Sequence, residues 1–174
     1  FAMTRLDHDR SMAQLAGKTG RPVTDVSRMT IWGNHSTTQF PDFVHALIGG
    51  QPAADVVGDR AWLEGEFQTR VQKRGAEIIA ARGKSSAASA ANAARSHART
   101  FTFGTAADDW TSAAVCSDGS YGVPEGLISS FPVRVAPGGA WEIVQGLEID
   151  AYCRQKIDPS GGQLQSEQGV VREL

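Results

Sequence analysis

The apolar and polar positions divide the chain into a helix-rich first part and a strand-rich second part. Residues 4–17 read as a helix, with Leu6, Ala13 and Ala16 near one face and Gly17 and Gly20 closing it. Thr4 is the expected N-cap, which puts Asp7 in the first turn, where a carboxylate favours the helix dipole. Met29–Trp32 alternates as a strand and stops at Gly33, so His35 is expected just past a strand's end. The longest helical pattern runs from about 60 to 82 behind Asp59, on Trp62, Leu63, Phe67, Val71, Ile78 and Ile79. A second helix, 86–101, is built almost wholly of alanine and serine. Such a face permits close approach of another helix or a cofactor domain, or packing on the protein's own core.

Beyond Trp110 the pattern turns to strands. Trp110–Val115 leads into the turn Ser117-Asp118-Gly119-Ser120, and Leu127–Val135 and Ala140–Val144 flank Pro137-Gly138-Gly139 as a hairpin. A last helix is expected from about Leu147, broken or frayed at 158–162, where Pro159 and two glycines disfavour a helix interior. Helices and strands are segregated rather than alternating, which makes the class α+β.

The 174 residues suit one domain with a real core, and 41% hydrophobic and 21% charged residues are ordinary for a globular protein. The net charge of -2 excludes the basic excess that a nucleic-acid or anionic-membrane surface needs. No apolar run approaches the roughly 20 residues that span a bilayer. Cys116 and Cys153 lack metal-type neighbours and read as reduced thiols in a cytoplasmic protein. The most chemically loaded segment lies almost at residue 1, so the chain is expected to begin at a cut within a longer protein.

That segment is Thr4-Arg5-Leu6-Asp7-His8-Asp9-Arg10. Asp7 and Arg10, three apart, are neighbours on a helix surface. Taken alone they form a solvated ion pair worth only ~0.3–0.5 kcal/mol. A lone histidine such as His35, taken without its context, is more often a hydrogen-bonded structural residue, and that reading suits His45 and His97. His8 between Asp7 and Asp9 lacks metal-ligand spacing. No G-x-G-x-x-G follows a strand and no G-x-x-x-x-G-K-[ST] exists, so nothing here cradles a phosphate.

Three motifs in register change these readings: Met3–Arg10, Ile31-Trp32-Gly33-Asn34-His35-Ser36, and Ser117–Pro124. Together with Ile143–Asp150 they resemble NAD-dependent malate dehydrogenases of the cytosolic animal and actinobacterial type, from residue 2 to about 155. The resemblance is to the substrate-binding, C-terminal half. It implies the fold of that half, with long helices packed on antiparallel strands, over 1–174, and an N-terminal Rossmann domain absent from the chain. It also implies oxidation of malate to oxaloacetate with NAD in the tricarboxylic acid cycle, by a homodimer whose contact uses the opening helix.

The resemblance gives His35 the role of acid/base beside the cofactor and makes Asp7 its partner. Arg10 becomes the holder of the substrate carboxylate, and Ser112 a residue bordering the nicotinamide. These residue types suit those tasks. Histidine accepts and returns a proton near neutrality. A carboxylate on its second nitrogen fixes the tautomer, and arginine matches a carboxylate bidentately. The alternative is a dimerising fragment, inactive alone. A lactate dehydrogenase is disfavoured by the Trp32–His35 and Ser117–Pro124 motifs. The family's loop arginines and its substrate-orienting asparagine are absent, Ala113 stands where methionine is expected, and 158–162 interrupts the last helix.

Overall fold

The computed structural model describes residues 3–172. Helix α1 (Thr4–Thr19) is followed by short strands β1 (Val26–Ser27), β2 (Thr30–Trp32), β3 (Phe40–Asp42), β4 (Leu47–Ile48) and β5 (Gln51–Pro52). Next come α2 (Ala53–Val57), α3 (Arg60–Trp62), a π-helical turn (Leu63–Phe67), α4 (Gln68–Arg82) and α5 (Ala87–Phe103). Strands β6 (Thr111–Cys116), β7 (Ile128–Val135) and β8 (Trp141–Ile143) precede α6 (Ala151–Arg172). Every strand pairing is antiparallel: β1-β4-β5, β2-β3 and β6-β7-β8. The α+β class therefore holds.

β2 joins the layers. Its exit residue Gly33 exchanges backbone hydrogen bonds with Ser130 of β7, at 3.2 and 2.6 Å. Side chains on a strand alternate between faces, and β2 uses both. Ile31 enters a core with Leu15, Met29, Phe43, Leu63, Phe67 and Val71. Trp32 enters a second core with Phe40, Phe131, Val133, Cys153 and Ile157. A strand held between two cores has no freedom to slip register, because a one-residue shift exchanges the two sets of side chains.

α1 departs from the expected pattern in an informative way. Met3, in the left-handed region at φ 62, occupies the N-cap position, and Thr4 is the first helical residue and buried. The helix runs through Gly17 and ends on Gly20 at φ 68, a position that favours glycine. Ala13 is exposed, and the inward face carries Thr4, Asp7, His8 and Ser11 beside Leu6, Leu15 and Ala16. A polar face turned inward needs partners on the neighbouring elements.

The expected start at 147 and break at 158–162 in the last helix are corrected. Asp150 caps α6, its Oδ1 accepting the Cys153 N–H at 2.7 Å, and the helix continues through Pro159, Gly161 and Gly162. An interior proline costs about 3 kcal/mol. Tertiary packing offsets this, because Cys153, Ile157 and Ser160 fall on one face and are all buried. The 60–82 helix forms as expected, opened by the Asp59 carboxylate on the Trp62 N–H at 3.0 Å. Only Ala93 of α5 is buried, so the alanine-rich helix is mainly surface.

Candidate active site

Asp7 stands in the first turn of α1 with its side chain fully buried. A carboxylate there is tolerable only if both oxygens are satisfied. Oδ2 accepts from His35 Nδ1 at 2.5 Å and Oδ1 from Arg10 Nη1 at 3.1 Å. One buried carboxylate therefore orients both of its neighbours. Arg10 is held a second time by Ser86 at the start of α5, Nη2 to Oγ at 3.3 Å. His35 donates Nδ1–H to Asp7, which leaves Nε2 as the nitrogen able to exchange a proton with a bound group. Its side chain is 40% exposed.

Arg10 and His35 line an open cleft of about 370 Å³, together with Leu6, Gln72, Lys73 and Ser86, and Asp7 lies buried behind them. α1, the loop after β2, α4 and the first turn of α5 supply these walls. His35 reaches the cleft because Gly33, at φ 90, turns the chain sharply out of β2. The arrangement provides a base fixed in one tautomer and a guanidinium for an anionic group, on one side of a concavity.

Ser112 was expected at a cofactor surface. Its side chain is fully buried on β6, and it is not among the residues lining that cleft. The Ser112 hydroxyl accepts the Ile31 N–H at 2.8 Å and donates to His8 Nδ1 at 2.9 Å. It thus ties the strand leading to His35 to the helix carrying Asp7. Burial, with the positive charge of Arg5, lowers the His8 pKa to about 3. His8 is therefore neutral and accepts through Nδ1.

His45 and Cys153 come together with Asp42 within 4.8 Å. The Asp42 carboxylate is already engaged: Oδ1 accepts the Val44 and His45 N–H groups, and Oδ2 accepts from Trp32 Nε1 and His45 Nδ1. Burial pushes the Cys153 thiol up, away from the thiolate a metal requires. The group is a hydrogen-bond node, and His45 has the structural role expected of it. Sequence reasoning missed Ser86, Gln72 and the α6 residues Ser160 and Gln163. Their only sequence signal was polarity, which surface residues share.

Residues 4–173 match the family model for the lactate/malate dehydrogenase alpha/beta C-terminal domain. The chain belongs to the lactate/malate dehydrogenase family. It is 45% identical to a malate dehydrogenase from Naegleria fowleri, with a TM-score of 0.92 over 98% of this chain and 52% of that one. It is 30% identical to a Trichomonas vaginalis lactate dehydrogenase solved with NADH and oxamate, with a TM-score of 0.89 over 97% and 52%. A Salinibacter ruber malate dehydrogenase is 26% identical, with a TM-score of 0.83 over 98% and 53%. The chain thus spans about half the length of these relatives. Within this domain Arg10 and His35 line the cleft, and the buried Asp7 holds both.

Proposed function

We propose that this chain is the substrate-binding and proton-transferring half of an NAD-dependent malate dehydrogenase, interconverting malate and oxaloacetate. The observation that carries the reading is the buried Asp7 carboxylate holding both His35 and Arg10 at one cleft. Arg10 binds a substrate carboxylate, and His35 Nε2 takes the hydroxyl proton of malate as the C2 carbon is oxidised. The imidazolium so formed lies against Asp7, which favours it. In reduction the same proton returns to the carbonyl oxygen. NAD, when bound, supplies the hydride acceptor. This chain has no glycine-rich phosphate loop, so its part in holding NAD is the His35 wall of the cleft.

Malate is preferred over lactate on the 45% identity to a malate dehydrogenase against 30% to a lactate dehydrogenase. A homodimer, a cytoplasmic location and a place in the tricarboxylic acid cycle belong to the same reading and rest on resemblance to the cytosolic enzymes. Among the described residues, no helix is long and apolar enough to cross a membrane. The test is NADH oxidation by the full-length protein carrying this chain, with oxaloacetate and pyruvate compared. A preference for oxaloacetate supports the assignment, and a preference for pyruvate overturns it. The second reading, a dimerising fragment without turnover, concerns the 174 residues alone and is favoured by the absence of a phosphate-binding loop.

A further inference from the structure

The segment Pro159-Ser160-Gly161-Gly162, which reads in sequence as a break, lies where α6 meets the loop that carries His35. Ser160 is buried, and its Oγ accepts the Asn34 N–H at 3.1 Å and donates to Asn34 Oδ1 at 3.3 Å. One turn on, Gln163 Oε1 accepts from Thr38 Oγ1 at 2.7 Å and from Ser36 Oγ at 3.0 Å. Ser36 is itself hydrogen-bonded to Asn34 Oδ1 at 2.6 Å. His35 is therefore flanked on both sides by residues anchored to one helix. The backbone at Gly33 approaches so closely that an added Cβ would lie 2.0 Å from Ser160 Oγ.

Asp7 secures the imidazole from α1 at one atom, Nδ1. A single hydrogen bond fixes one point of the ring and leaves rotation about it open. The backbone on either side sets the direction in which Nε2 points, and α6 holds that loop through five hydrogen bonds, the fifth from Thr38 Oγ1 to Ser160 Oγ at 3.3 Å. We infer that Ser160 and Gln163 are positioning residues for His35, acting through Asn34, Ser36 and Thr38. This rests on the dehydrogenase reading for its kinetic consequence, but not for its structural one.

The experiment uses Gln163→Ala, which removes the shared acceptor, Gln163→Glu, which retains one, and Ser160→Ala. Ile157→Val is the control, a buried residue of the same helix with no bond to the loop. Two readouts are taken. The first is the His35 side-chain ¹⁵N and Nδ1–H spectrum of this chain across pH. The second is kcat and KM for oxaloacetate reduction by the full-length protein. Expected are an altered or broadened His35 signal in Gln163→Ala and Ser160→Ala, recovery in Gln163→Glu, and no change in Ile157→Val. In the full-length protein kcat falls about ten-fold, with KM nearly constant, since misorientation of a catalytic group acts mainly on the chemical step. Wild-type His35 spectra in both Gln163→Ala and Ser160→Ala would overturn the inference, as would an equal change in Ile157→Val. An inactive full-length wild type would overturn the dehydrogenase reading, and the spectra would still decide the positioning role.

Discussion

Asp7 and His35, 28 residues apart in the chain, meet at 2.5 Å with the carboxylate fully buried and the imidazole 40% exposed. The asymmetry suits the proton exchange proposed for the pair. The carboxylate that fixes the ring is shut away from water, and the ring itself is open to the cleft.

Replacing Asp7 by Asn keeps the shape and removes the charge that favours the imidazolium. In the full-length protein kcat for oxaloacetate reduction is expected to fall about 10²–10⁴-fold, in line with the loss of an orienting carboxylate elsewhere. Steady-state kinetics, with circular dichroism to verify folding, measures it. A loss under three-fold removes Asp7 from the role.

Arg10→Lys keeps the positive charge but loses the planar fork. Charge-assisted hydrogen bonds are worth about 1.5–3 kcal/mol, so KM for the dicarboxylate should rise about ten- to a hundred-fold, with little change in KM for NADH. An unchanged substrate KM would assign Arg10 to structure alone, as a partner of Asp7 and Ser86.

Gly33 and Gly49 both have positive φ, at 90 and 60, but only Gly33 faces an obstacle. A Cβ there meets Ser160 Oγ, whereas nothing lies within 4 Å at Gly49. Gly49→Ala should cost about 1 kcal/mol from backbone strain. Gly33→Ala should cost about 3 kcal/mol or more, because α6 or the His35 loop must move. Urea unfolding of the two variants separates strain from collision. Equal losses would contradict the packing.

The pH dependence of stability follows from two histidines of opposite sign. His8 drops from 6.5 to about 3 through burial and the nearby Arg5 charge. Its neutral form is the folded one, so the stability it contributes is complete above pH 6.5 and is lost as pH falls toward 3. For His45, burial opposes protonation, but the hydrogen bond and charge of Asp42, with the Glu148 carbonyl and Asp150, raise its pKa. Its contribution is complete below 6.5 and is lost as pH rises through the raised value. His8→Asn, which keeps an acceptor for Ser112, should flatten the fall in unfolding free energy between pH 6.5 and 5. Urea titrations at several pH values measure the slope. A slope equal to wild type would remove His8 as its source.

How much was legible depends on whether a signal was local. The hairpin of β7 and β8 was marked by its turn residues, and the 60–82 helix by its periodic apolar face and Asp59. His35, Asp7 and Arg10 stood out through motifs in register. Ser112 was visible as part of a motif, but its orientation was not. Its neighbours, His8 at 104 residues' separation and Ile31 at 81, are set by how β6 lies across α1 and β2. Ser160 and Gln163 were hidden behind a proline and two glycines whose helix-breaking propensity was the stronger local cue.

Local chemistry in the sequence determined the opening helix, the 60–82 and alanine-rich helices, the strands around Trp32 and beyond Trp110, the α+β class and the residue types able to handle a proton and an anion. Tertiary structure decided the rest. Contacts across the fold set the continuity of α6 through Pro159, the inward turn of α1's polar face and the anchoring of the His35 loop. In each case burial and hydrogen bonds from distant segments outweigh a local preference of a few kcal/mol at most. No window of sequence contains both partners of such a contact.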